Sequence, residues 1–192
     1  MKRFTNVKSG GVILTLLLLA LVSGSVWGQE TYQRVTSVSE LEAEKSFLIV
    51  NVDDQGRCIA LSNEQKKNNR GAVAVILAND KITLEQNSMA CQLVLKGSSS
   101  VGWSFYDEVN GGYLYAASSS GNYLKTQSTL DDDGRADIRF EANIATITFK
   151  GTNKRNVMQY NPNNGSPLFA CYGSESQKPL QLFLSLIHIS EP

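Results

Sequence analysis

Between Trp103 and Gln127 the chain reads WSFYDEVNGGYLYAASSSGNYLKTQ, three short strand-like runs parted by two tight turns. Trp103, Phe105 and Asp107 alternate with Ser104 and Tyr106, the two-residue period of a pleated strand with two unlike faces. Asn110-Gly111-Gly112 supplies the positive φ that hairpin turns need. Tyr113 to Ala117 forms a second run. Ser118 to Asn122 forms a second turn, punctuated by Gly121-Asn122, and Tyr123 to Thr126 a third run. Asp131-Asp132-Asp133-Gly134 then turns the chain into a fourth, Ala136 to Glu141. Strands this short, at this spacing, predict an all-β sandwich or barrel.

The same plan recurs on either side. Strand starts at Phe47, Cys58, Ala72 and Cys91 precede this stretch, and starts at Ala145, Asn156, Leu168 and Leu180 follow it. Corresponding strands return about every 45 residues. The longer first interval is accounted for by the polar Ser62–Gly71 segment, read as an exposed loop, and by an extra strand at Ile82. Three units of four strands predict a β-trefoil-like barrel, whose closure leaves no exposed sheet edge. A two-sheet β-sandwich gives similar spacing and is the alternative. Ahead of the first unit, Tyr32 to Thr36 reads as an extended lead-in. Ser39 with Glu42 fits a capping box that opens a short N-terminal helical turn.

Both ends read as something other than the fold. Residues 1–28 carry a basic start at Lys2, Arg3 and Lys8, then the apolar run Val12–Val22 and small residues before Gln29. An apolar run this short falls well under the ~20 residues that span a bilayer, so a cleaved secretory signal peptide is expected. Residues 184–192, LSLIHISEP, match in one frame the translation of a transposon end and adapter used in sequencing libraries. A tail of adapter origin is expected there, with the module itself at 29–183 and further domains of the natural polypeptide beyond it. The expected address is secreted or cell surface, at least the periplasm, with no membrane span after signal cleavage.

Charge and residue types narrow the chemistry. The whole chain has 18 Lys+Arg against 18 Asp+Glu, and without the two ends the balance is about −2. Beyond Lys66-Lys67 and Lys154-Arg155 there is no basic block, so nucleic acid is not an expected partner. The one histidine, His188, lies in the expected tail. Ser-His-Asp and Cys-His catalysis and histidine metal sites are therefore not expected, nor is any cofactor. Carboxylate pairs such as Asp107 with Glu108 or Asp137 with Glu141 are not singled out by any cleft-forming pattern. Asp131–Gly134 lacks the calcium loop that ends in a bidentate Glu and reads as a solvated turn. Cys58, Cys91 and Cys171 each sit in an apolar strand run and read as buried free thiols, with a Cys58–Cys91 bridge as the alternative.

Tyrosines carry the functional lead. Tyr106, Tyr113, Tyr115, Tyr123, Tyr160 and Tyr172 offer apolar rings with a hydroxyl beside them, a surface that stacks on sugar rings. Tyr113 and Tyr115 share one face of their strand and Leu114 the other, so one set must be core. Arg155, after Gly151-Thr152-Asn153, is a candidate polar contact, the plainer reading being a turn held by side-chain hydrogen bonds. The candidate ligand-binding set is Tyr106, Tyr113, Tyr115, Tyr123, Tyr160 and Arg155. The chain has no Gln-x-Trp repeats of the ricin-like lectin kind. The expected function is a non-catalytic binding module for glycan or another cell-surface polymer. Alternatives are a structural or adhesion spacer, and an accessory domain of a hydrolase whose catalytic part lies downstream.

Several strings are similar to one recurrent module: Val35-Thr36-Ser37 with Leu41 and Phe47-Leu48-Ile49-Val50, Trp103-Ser104-Phe105-Tyr106-Asp107, Gly112 to Ser119, Gly151-Thr152-Asn153 with Arg155-Asn156, and Leu168-Phe169 with Cys171-Tyr172. The resemblance, over roughly Tyr32 to Phe183, is to an uncharacterised β-rich module of large secreted or surface multi-domain proteins of Bacteroidota. It implies neighbouring modules in the same polypeptide, immunoglobulin-like, lamin-tail-like, hydrolase or nuclease, and often a C-terminal sorting signal. It implies no established activity.

Overall fold

The computed structural model describes residues 29–163 and 165–186. The expected signal peptide over 1–28, and His188 with the rest of 187–192, lie outside the described residues. Strand β1 (Glu30–Val35) leads in. A first group holds β2 (Ser46–Val52), β3 (Cys58–Gln65), β4 (Arg70–Val75), a small hairpin of β5 (Leu77–Ala78) and β6 (Lys81–Leu84), and β7 (Leu93–Ser98). A second holds β8 (Gly102–Asp107), β9 (Gly112–Ala116), β10 (Leu124–Gln127) and β11 (Ala136–Glu141). A third holds β12 (Ile144–Phe149), β13 (Val157–Asn161), β14 (Leu168–Tyr172) and β15 (Gln181–Ser185). All fifteen strands belong to one antiparallel hydrogen-bonded network.

The pairing repeats from group to group. The second and third strands of each group form a hairpin, β3 with β4, β9 with β10 and β13 with β14. The last strand of one group turns into the first of the next, β7 into β8 and β11 into β12. Their counterpart is β15 against β2, with Phe183 opposite Leu48. Within each group the first strand meets the last, at Phe47 and Leu93, at Trp103 and Ala136, and, one residue ahead of β15, at Ala145 and Leu180. These contacts close a ring of β2, β7, β8, β11, β12 and β15. Gly97 shows how tightly the β7–β8 corner is drawn. Its φ is +93°, and a Cβ there would stand 2.3 Å from the Gly102 carbonyl oxygen. Only glycine meets both conditions without strain.

Two cores share the strands of the ring. Phe47, Ile49, Leu93, Leu95, Phe105, Ile147, Phe149 and Leu182 belong to the larger cluster, all with no solvent exposure. Leu48, Val50 and Phe183 point the other way into a smaller cluster with Tyr32, Cys58, Ile82 and Leu84. That second layer explains why β2 is buried on both faces: the alternation of side chains places Phe47 and Ile49 in one core and Leu48 and Val50 in the other. β1 and the β5–β6 hairpin supply its cover.

Three expectations need correction. The lead-in is a full strand: β1 pairs with both β15 and β6, and Tyr32 is wholly buried. The Ser39–Glu42 capping box does not form. The described residues contain no α-helix, and their helical turn is a 3-10 turn at Val38–Glu40. Glu40 instead reaches back, its Oε1 accepting from the Thr36 N–H at 3.0 Å and the Ser37 hydroxyl at 2.9 Å. The last strand runs through Ser185, and Leu184 and Ser185, the start of the expected tail, pair with Phe47 and Tyr32. Ser62–Gly71 is not an exposed loop throughout, because β3 continues to Gln65, β4 begins at Arg70, and Arg70 has no solvent exposure.

Arg70 is held by a buried ion pair. Its Nη1 donates to Asp107 Oδ2 at 2.6 Å and to Thr126 Oγ1 at 3.0 Å, and its Nη2 to the Ser62 carbonyl at 2.9 Å. Asp107 also accepts the Asn110 N–H at 3.0 Å and Asn110 Nδ2 at 2.8 Å. Burial alone would raise the Asp107 carboxyl. The Asn110 N–H, the Arg70 charge and the remaining hydrogen bonds outweigh it and hold the group below the ordinary carboxylate value. The three cysteines are free and buried. Burial pushes the Cys58 and Cys91 thiols up to about 12, and raises Cys171 too.

Two measurements follow from this packing. Asp107→Asn leaves the Arg70 charge buried without its counter-ion, and should cost about 3–5 kcal/mol in urea unfolding. Because the Asp107 carboxyl is depressed in the folded state, its contribution is complete above the ordinary Asp value near pH 4 and is lost as pH falls through the folded value. The wild-type urea midpoint should therefore drop on acidification below about pH 4, and Asp107→Asn should flatten that slope. Separately, a disulfide-exchange thiol reagent at pH 8 should leave the native protein unmodified and titrate three thiols per chain in guanidinium.

Candidate functional site

The outer face of β8, β9 and β10 gathers four of the six candidate residues. Phe105 and Leu114 point into the larger core with no exposure, so the alternation turns Tyr106, Tyr113 and Tyr115 outward. Tyr106 stands opposite Tyr113 across the strands, and the rings meet edge to face at 5.0 Å between centroids. Tyr115 lies opposite Lys125 and Tyr113 opposite Gln127. Tyr123 precedes β10 on the same face, and its ring lies so close to Gly121 that a Cβ there would sit 2.5 Å from it. Each of the four rings is half-buried, and no hydrogen bond within the described residues engages their hydroxyls. Lys96 Nζ lies 5.7 Å from the Tyr106 centroid and 3.1 Å from Glu44 Oε2. The hydrogen bond it donates to Glu44 holds the Lys96 ammonium above its ordinary value.

Arg155 is engaged internally. Its Nη1 donates to Asn122 Oδ1 at 2.6 Å, beside Tyr123. Asn153 Nδ2 donates to the Ala116 carbonyl at 2.8 Å, and the Ser119 hydroxyl to Asn153 Oδ1 at 2.9 Å. The turn before β13 is thus laced to the β9–β10 turn, and Arg155 positions the rim of the tyrosine face. Tyr160 stands apart from this group. It is 7% exposed, packs on Phe169 at 5.2 Å, and reaches a different cavity. Tyr172 is buried, its hydroxyl accepting from Asn161 Nδ2.

That other cavity is a cleft of about 520 Å³ between the β2–β3 turn, the β13–β14 turn and the approach to β15. Asp53, Asp54 and Arg57 line one side, with Tyr160 and Lys178 on the other. Apart from Tyr160, none of these residues stands among the candidates that the sequence offers. The signal lay in the pairing of distant turns, which no local window contains.

The acidic turn behaves as a turn. Asp131 Oδ1 accepts from Gly134 N–H and Gln127 Nε2, and Asp132 pairs with Arg135 at 3.3 Å. Among the described residues no group of His, Cys, Asp and Glu side chains could hold a metal ion, and no helix is long and apolar enough to cross a membrane. Asp107 is occupied by Arg70, and Asp137 lies exposed, 3.8 Å from Lys150.

No family model matches this chain, and no curated protein matches it in sequence. Among solved structures, a lysenin pore is similar at 12% identity and a TM-score of 0.47, covering 82% of this chain and 50% of its own. A complex of lysenin with phosphocholine is similar at 12% identity and a TM-score of 0.48, covering 83% of this chain and 48% of its own. The chain spans about half the length of these structures. At this identity and score the likeness carries neither fold nor ligand across.

Proposed function

We propose that this chain is a β-trefoil-like, non-catalytic binding module of an exported multi-domain polypeptide, secreted or displayed at the cell surface, and that it binds glycan through its outer tyrosine face. The trefoil reading is supported by the strand pairing that recurs in three groups around a closed six-strand ring. The observation that carries the binding reading is the row of Tyr106, Tyr113, Tyr115 and Tyr123, half-buried with hydroxyls free of internal partners. Tyr32 and Tyr172 differ: both are buried, and each hydroxyl has a partner. A row of rings along a strand face suits an extended polymer, because each ring offers an apolar plate to a sugar C–H face and a hydroxyl to its edge.

The test is affinity electrophoresis of the protein through a panel of soluble neutral and acidic polysaccharides, with Tyr113→Ala/Tyr123→Ala alongside. Retardation by at least one polysaccharide is expected, with an affinity loss of tenfold or more in the double variant, about 1.4 kcal/mol. Unchanged affinity in a folded variant would remove the tyrosine face. No retardation by any polysaccharide would leave the spacer reading.

A further inference from the structure

The cleft between the β2–β3 and β13–β14 turns has the size and chemistry of a second ligand site. Its volume, about 520 Å³, falls inside the ~300–1,000 Å³ range of small-molecule pockets. Its apolar wall is formed by the Tyr160 ring with Ile59 and Pro167. Its polar groups carry both signs: Asp53 and Asp54 against Arg57 and Lys178. Asp53 is used in the turn itself, accepting from the Gln55 and Arg57 N–H groups and from the Arg57 guanidinium. Within the described residues, the Asp54 carboxylate, the Lys178 ammonium and the Tyr160 hydroxyl enter no hydrogen bond or ion pair. The hydroxyl is the telling group. The Tyr160 ring is nearly buried, while its unpartnered hydroxyl opens on the cleft, where a ligand can reach it.

Ligand classes can be sorted by what they would leave unsatisfied. An apolar ligand would strip water from Asp54, Lys178 and Tyr160 and return nothing. An anion or cation would meet one favourable charge and one repulsive one. A polyol suits both signs, since each hydroxyl donates to a carboxylate and accepts from an ammonium or a phenol. The C–H face of a sugar ring fits the Tyr160 and Pro167 wall. We infer that this cleft binds a neutral saccharide ring, at a site separate from the tyrosine face. This extends the glycan reading to a second place on the molecule, and it stands or falls independently of the first.

The test is a two-dimensional amide NMR titration of the protein with cellotriose, maltotriose, mannotriose and N,N′,N″-triacetylchitotriose, and with trigalacturonate as an anionic probe. Saturable shifts at the amides of Asn51, Gln55 and Lys178 are expected with at least one neutral trisaccharide. Tyr160→Phe keeps the ring on Phe169 and removes the hydroxyl, and should weaken that binding about fivefold, as expected for one lost hydrogen bond. Tyr113→Ala/Tyr123→Ala should leave the shifts at the cleft unchanged, whether or not it abolishes polysaccharide binding. Absence of shifts at the cleft with every neutral trisaccharide would overturn the inference. So would shifts confined to β8–β10, loss of cleft shifts in the folded tyrosine double variant, or tighter binding of trigalacturonate than of any neutral sugar.

Discussion

Arg70 and Asp107 meet where no solvent reaches, and the junction between the first two strand groups hangs on that contact. The guanidinium rises from the start of β4 and touches the end of β8, Thr126 on β10 and the Ser62 carbonyl on β3. Asp107 carries the contact on into the Asn110 turn, and Asn110 Nδ2 reaches the Asn63 carbonyl. Two hairpins from different groups are thereby fixed against each other by directional bonds. A buried ion pair adds little net stability over a well-packed apolar pair, but removing one partner alone is costly. Its contribution is therefore geometric: it admits one arrangement of those hairpins, and with it one placement of the strand face that carries Tyr106 and Tyr113.

The other two junctions are built differently. Between the second and third groups, beside the β11–β12 ladder, side chains join the turns, with Arg155 on Asn122 and Asn153 on Ala116. Between the third and first, β14 pairs with β4 through Leu168 and Phe169, and Asn51 Nδ2 donates to the Pro179 carbonyl at 2.8 Å. The turns beyond those contacts stay apart and leave the cleft. A repeated scaffold thus acquires unlike surfaces because each seam is filled by different residues, one by a buried charge pair, one by turn amides, and one by open space.

Much of the strand layout was legible in the sequence. Asn-Gly and Asp-Gly punctuation placed the turns, and alternation such as Tyr113-Leu114-Tyr115 separated a core face from an outer one, because both signals are local. The failures share a cause. Arg70 sits in a run of polar residues that reads as solvated, and only Asp107, distant in sequence, makes its burial tolerable. Tyr32 reads as lead-in because its partners, Ile82 and Ser185, lie far along the chain. Tyr160 was grouped with the other tyrosines by residue type, yet its strand faces another seam. Composition proposes a chemistry, but register between remote segments decides which residues share a surface.

The adjacency of β1 and β15 governs how such a chain can become a folded molecule. The Leu186 N–H bonds the Thr31 carbonyl at 2.8 Å, and β15 also completes the partnership of β2. One edge of β1 and one of β2 therefore wait for Gln181–Ser185 to be synthesised, although β6, β3 and β7 reach these strands earlier. Until then β1 and β2 present open edges beside Tyr32, Phe47 and Leu48, the kind of surface that recruits other chains. The closing contacts span most of the sequence, which makes folding slow and late compared with a chain of local hairpins. Whatever else of the polypeptide emerges after it, the ring can shut only once Gln181–Ser185 have been made, so that its first strands are held open by its last.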